Sequence, residues 1–196
     1  IYEAAMTDFT SEGAGVCRIK GRAVFVPRAL PGETWRVRIV KVTKTAAFGR
    51  GEERLTTSPE RVEPDCPNFG RCGGCNLMHM SYAAELQMKL DRVNDALRRI
   101  GGTEVRAERI LGSERVEGYR NKAIYAVGEG ENGPVAGFYR TGSHDIIPAP
   151  NCLLQSDEAS KCAGAVVDWM RTNCVSAWNG RSGTVRHVYT RRARDG

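Results

Sequence analysis

The residues of this chain best placed to do chemistry are Cys66, Cys72 and Cys75, three thiols within ten residues in the spacing Cys-x5-Cys-x2-Cys. Thiolates so spaced bind metal, provided the chain between them turns sharply enough to aim the sulfurs at one centre. Gly73 and Gly74 are expected to supply the positive φ angles of that turn. Pro67 and Gly70 keep the segment out of helix and strand. Three protein ligands require a fourth from elsewhere.

Structural zinc takes four Cys or His ligands, usually as two short pairs, and only Cys72 and Cys75 form such a pair. An iron–sulfur cluster takes four thiolates. The spacing admits either metal. His79, four residues after Cys75, would complete a zinc site. Cys17 falls in an expected strand and Cys162 in an expected helix, where a thiol serves as a small buried hydrophobe. Cys174 ends that helix. Cys152 follows Pro150 and Asn151 in a loop that leaves its thiol free to aim, and it is taken as the fourth ligand.

The rest of the chain must position these groups. It has 196 residues, enough for one large or two small domains with real cores. No apolar run approaches the ~20 residues of a membrane span, so no membrane partner is expected. Ile1 to Met6 lack the basic and apolar regions of a secretory signal. A cytoplasmic chain with reduced thiols is expected, and seven cysteines, an odd number, suit a closed disulfide framework poorly. The net charge is +6, and residues 181–196 hold five Arg against Asp195. That surplus suits nucleic acid and suits a solvated surface equally.

Residues 1–55 read as short strands, among them Val16 to Ile19, Ala23 to Val26 and Trp35 to Val42, with Gly49 to Gly51 among the separators. Trp35, Val37 and Ile39 alternate with Arg36, Arg38 and Val40, so one face is buried and the other mostly basic. Thr56 to Asp65 reads as a linker. Tyr82 to Ile100 carries the apolar stripe Leu86, Leu90, Val93, Leu97 and Ile100, capped by Ser81, and is expected to buttress the cysteine loop. Arg120 to Val127 and Val135 to Arg140 form a hairpin across Gly128 to Gly133, mixing Arg120, Lys122 and Arg140 with Tyr119, Tyr125, Phe138 and Tyr139. Such mixtures can hold phosphates and stack on unpaired bases, but the pattern alone favours a half-buried hairpin with its aromatics inside and its charges outside. A second helix spans Asp157 to Asn173, a basic strand follows over Thr184 to Arg192, and a turn is expected at 194–196.

Several motifs together resemble the iron–sulfur RNA uracil-5-methyltransferases that act on large-subunit (23S) ribosomal RNA. They are Cys66-x5-Cys72-Gly73-Gly74-Cys75-x-Leu77-x-His79, Tyr119-Arg120-Asn121-Lys122-Ala123, Gly137-Phe138-Tyr139-Arg140-x3-His144, Asn151-Cys152-x-Leu154-Gln155 and Gly183-Thr184-Val185-Arg186-His187. Gly13-x-Gly15-Val16 and Leu30-Pro31-Gly32-Glu33 resemble the start of a TRAM barrel. The resemblance implies an α+β chain. A five-stranded OB-like TRAM barrel over 1–60 precedes a central RNA-recognition domain over 61–196. It implies a 4Fe-4S cluster on Cys66, Cys72, Cys75 and Cys152, S-adenosylmethionine as methyl donor, and a monomer that binds RNA. Ribosomal RNA is preferred to transfer RNA, which the tRNA-directed members of the same family modify. The residues chosen for RNA contact are Arg120, Lys122, Arg140 and His144, with Arg36 and Arg38 behind them.

In that family a cysteine adds to C6 of a flipped uracil so that C5 can accept the methyl group, and a base then removes the C5 proton. No cysteine here has the family's acidic-Pro-Pro-Arg context, and no strand–glycine-loop–helix fingerprint is present. No catalytic residue is therefore assigned. The expectation is a chain lacking the catalytic domain and inactive alone, cut from something longer. Competing readings are a stand-alone redox or electron-transfer iron–sulfur protein and a zinc-binding RNA module. A radical S-adenosylmethionine enzyme is disfavoured, since its triplet is Cys-x3-Cys-x2-Cys.

Overall fold

Alternating apolar and polar residues through the first 56 positions form six strands in the computed structural model, which describes residues 1–193. They are β1 (Tyr2–Ala5), β2 (Asp8–Phe9), β3 (Ala14–Ile19), β4 (Arg22–Pro27), β5 (Thr34–Val42) and β6 (Ala46–Thr56). They make one sheet in the order β1-β5-β6-β4-β3-β2, antiparallel except where β4 meets β6. β1 also lies beside β3, which curls the sheet around Met6, Cys17, Val24, Val26 and Val37. Trp35, Val37 and Ile39 point into this core, as the alternation requires.

The count of five strands is corrected to six. Gly49 and Gly51, taken as separators, lie inside the 11-residue β6. A Cβ on Gly49 would fall 2.3 Å from Val37 Cγ1, and one on Gly51 2.7 Å from Trp35 Cε3. Glycine here admits the large side chains of β5.

Two compact units divide the chain, Ile1–Asp65 with Asn76–Gly112, and Cys66–Cys75 with residues from Ser113 onward. This differs from the expected division at 60/61. The first unit holds α1 (Tyr82–Arg99), whose N-cap Ser81 accepts from Ala84 N–H at 3.2 Å. No residue of α1 is buried, and Val93 is half exposed. Asn94 clamps the returning chain instead, accepting from Ala107 N–H at 2.8 Å and donating to its carbonyl at 3.2 Å. The expectation that this helix is core architecture for the cysteine loop is corrected, because its stripe shows which face is apolar but not what meets it.

The second unit is a sheet of β7 (Lys122–Gly130), β8 (Gly133–Tyr139), β9 (Ile146–Pro148) and β10 (His187–Arg191), antiparallel in the order β10-β7-β8-β9. One face is covered by α2 (Asp157–Thr172), capped by Ser156. Ala159, Ala163 and Met170 of α2 pack with Ala123, Tyr125, Val127 and Val188. The hairpin turn is only Glu131 and Asn132, tighter than expected, and β9 was not anticipated. The turn expected at 194–196 lies outside the described residues. Among those described, no helix is long and apolar enough to cross a membrane.

Gly137 sits where β8 meets β9, and a Cβ on it would fall 1.9 Å from the Ile147 carbonyl oxygen. Gly137→Ala is expected to cost about 1–3 kcal/mol by overpacking. Hydrogen exchange at Ala149 N–H, bonded to Ala136 O at 3.2 Å, should rise with it. An unchanged melting curve would show that the strands simply move apart.

Candidate functional site

The cysteine loop of the second unit is built by short turns. Phe69 N–H donates to Cys66 O at 3.0 Å, and Cys72 N–H to Asn68 O at 2.9 Å. The positive φ falls on Gly70 (79°), not on Gly73 or Gly74 as expected. Closeness matters at Gly73, whereas Gly74 has room for a Cβ. A Cβ on Gly73 would lie 3.2 Å from Tyr139 O, and one on Gly74 3.4 Å from Cys72 Sγ. The loop then pairs with the end of β8. Gly73 N–H donates to Tyr139 O at 2.9 Å, Thr141 N–H donates to Arg71 O at 3.1 Å, and Cys72 bridges to Arg140. Asn68 Nδ2 adds a bond to Pro148 O at 2.9 Å.

This pairing brings the loop to Cys152. Cys66, Cys72, Cys75 and Cys152 line one cavity of about 130 Å³, with Phe69, Phe138 and Leu154 among its apolar walls. Burial, then the neighbouring Cys152, push the Cys75 thiol up to about 11, against the opposing pull of Arg120. Burial likewise raises Cys72. Among the described residues, no three His, Cys, Asp or Glu side chains are grouped to hold a metal ion.

The other thiols lie apart from that cavity. Cys17 is fully buried in the first unit, as expected of a small hydrophobe. Cys162 is exposed, which corrects the same expectation for it, and Cys174 is exposed too. His79, the alternative zinc ligand, is buried in the first unit. Burial, then Arg61, lower its pKa to about 4, with Glu33 opposing.

Glu33, part of the barrel-like motif Leu30 to Glu33, has a role that sequence reasoning missed. Its fully buried carboxylate accepts from Arg61 Nε at 2.5 Å, Arg61 Nη2 at 2.8 Å, Leu30 N–H at 2.9 Å and Trp35 Nε1 at 2.8 Å. Burial alone would raise its pKa. The Arg61 hydrogen bond leads the opposing interactions, which hold it at about 2. The signal in the sequence is its place at the end of the Leu30-Pro31-Gly32-Glu33 motif.

The residues chosen for RNA contact separate into three groups. Arg36 and Arg38 are ion-paired with Glu53 at 2.6 Å and Glu52 at 2.9 Å, so neighbouring β6 carboxylates offset the basic face of β5. Arg120 lines the cysteine cavity and donates to Gly74 O at 3.5 Å. Lys122, Arg140 and His144 are exposed on the second unit, with Arg140 only loosely paired to Asp145 at 3.4 Å. Of the aromatics, Tyr125 is buried against Phe138 with ring centres 5.0 Å apart, and only Tyr119 and Tyr139 remain open.

Comparison with known proteins adds three findings. The TRAM domain family matches residues 1–51. A Bacillus cereus protein named as an RNA methyltransferase is 42% identical over 192 residues, which is 96% of this chain and 42% of that protein. One from Halalkalibacterium halodurans is 42% identical over 194 residues, covering 97% and 42%. The chain thus spans well under half the length of these relatives. The solved structure of Pyrococcus abyssi tRNA (uracil-54, C5)-methyltransferase with S-adenosyl-L-homocysteine shares the fold. Its TM-score is 0.66 at 23% identity, over 96% of this chain and 42% of that one. These matches overturn the expectation of a chain that lacks the catalytic domain and is inactive alone, since 96% of it aligns with proteins named as RNA methyltransferases and with a methyltransferase solved with S-adenosyl-L-homocysteine.

Proposed function

We propose that the protein serves S-adenosylmethionine-dependent methylation of RNA at C5 of a uracil. The observation that carries this is the match along 96% of the chain to proteins named as RNA methyltransferases. The TRAM match and the fold shared with a uracil-C5 methyltransferase support it. S-adenosylmethionine would supply the methyl group. This chain's own residues would bind and orient RNA, with Lys122, Arg140 and His144 on the exposed side of the second unit. Arg36 and Arg38 come second, because each is already paired.

Cys66, Cys72, Cys75 and Cys152 would hold a 4Fe-4S cluster that ties the loop to the sheet. The support is that all four line one cavity and that the basic Arg120 lies beside them to offset the charge of a thiolate-ligated cluster. Substrate choice divides between 23S ribosomal RNA, which the cysteine and hairpin motifs resemble, and transfer RNA, on which the structural neighbour acts.

The test is a map of 5-methyluridine in ribosomal and transfer RNA from cells with and without the gene. Loss of one such site is expected, and the RNA that loses it names the substrate. An unchanged map in both would end the proposal. Lys122→Ala with Arg140→Ala should weaken RNA binding and reduce its salt slope by about 2. The same affinity and slope as wild type would remove both side chains from the interface.

A further inference from the structure

α2 covers one face of the sheet of the second unit, and the other face, closed over at Ala126, is open around Ile124 and Tyr189. Ala123, Tyr125, Val127 and Val188 point to α2, so the alternate residues of β7 and β10 share the other face. The register sets Lys122 beside Arg191, Ile124 beside Tyr189 and Ala126 beside His187. Ile124 is 48% exposed and Tyr189 56%. Tyr139 of β8 joins them. Its hydroxyl lies 3.4 Å from His187 Nε2, and its ring has His144 edge-on at 5.5 Å and His187 at 6.5 Å. The face is thus an open apolar and aromatic strip with imidazoles along it and cations at one end.

The charges identify what covers it. Two like charges directly across a strand pair destabilise it. Lys122 and Arg191 are so placed, and among the described residues neither has an ion pair. None of the face positions on β7 and β10 that the register pairs is acidic. An anionic partner relieves the repulsion, and flat rings beside it need something flat. We propose that this face binds single-stranded RNA, with unpaired bases stacked on Tyr189 and Tyr139 and the phosphate chain on Lys122 and Arg191. The inference rests on the RNA reading above and deepens it. A duplex, with its bases stacked on each other, cannot offer them to the face.

The probe is a fluorescently labelled single-stranded uridine-rich oligoribonucleotide, compared with the same strand in a duplex. Wild type should prefer the single strand. Tyr189→Ala should weaken it about tenfold, the loss of one base–aromatic stack, whereas Tyr189→Phe stays within about twofold. Tyr189 is more than half exposed, so matched melting curves are expected for both variants. Equal affinity of Tyr189→Ala and wild type sinks the inference and leaves RNA binding elsewhere intact. A duplex bound as well as the single strand also sinks it. Should Tyr189→Ala dissociate a dimer in sedimentation without changing RNA affinity, the face belongs to a second copy. Wild type that binds neither RNA sinks the broader reading as well.

Discussion

Glu33→Ala is expected to lower the stability of the first unit by about 3–5 kcal/mol, the cost of breaking a buried ion pair from one side. The carboxylate is fully buried and its partner Arg61 only 13% exposed, so water screens little of the loss. The substitution also strands the Leu30 N–H and Trp35 indole donors. Trp35 supplies the readout, since Trp169 and Trp178 belong to the other unit and can be replaced by Phe. Urea unfolding followed by Trp35 fluorescence should show the shifted midpoint. A change below about 1 kcal/mol would mean that Arg61 and the stranded donors reach water once the carboxylate is gone, so that they are not held in a dry site.

The same cluster sets a pH dependence. Glu33 is held at about 2, below the ordinary 4.5, so its contribution is complete above pH 4.5 and is lost as pH falls towards 2. His79 is lowered from 6.5 to about 4, so the fold keeps it neutral where the unfolded chain takes up a proton. Its contribution is complete above pH 6.5 and is lost between 6.5 and 4. Both act in one direction. Stability of the first unit should decline in two stages on acidification, and Glu33→Ala should remove the lower stage. A flat profile from pH 6.5 to 2 would contradict both assignments.

Cys75→Ser is the second large effect. Purified without oxygen, the wild-type protein should carry about four iron and four sulfide per chain with broad visible absorption, and the variant should lose most of both. Without the tie, hydrogen exchange should rise at Gly73 and Thr141, whose N–H groups join the loop to the end of β8. Trp35 unfolding in the first unit should not change. About one zinc with no sulfide would assign the other metal. Absence of metal from an intact wild-type protein would reduce the four thiols to a packing feature.

Much of the local structure was legible. Ser81 and Ser156 mark the starts of α1 and α2 because each side chain accepts a bond from an N–H of the first helical turn. Trp35, Val37 and Ile39 alternate, and they face the core. The glycines misled, because Gly49 and Gly51 read as breaks and serve as close contacts under Val37 and Trp35. The hairpin pattern favoured aromatics inside and charges outside, and Tyr125 and Phe138 do turn inward, while Tyr119 and Tyr139 stay open because the alternation shows two faces without saying which one α2 covers.

The sequence by itself determined the thiol triplet, the helix caps, the buried side of β5 and the basic, aromatic character of the second unit. These depend on residues within a few positions of one another, where backbone sterics and period suffice. The loop position of Cys152 already pointed to it as the triplet's partner, and it lines the same cavity; tertiary structure alone decided that α1 lies outside the unit holding the cysteine loop and that Glu33 is the buried partner of Arg61. It alone set Tyr189 beside Ile124 and Lys122 beside Arg191. Each of these needs strands or loops distant in the chain to pair, and pairing register is a property of the packed sheet.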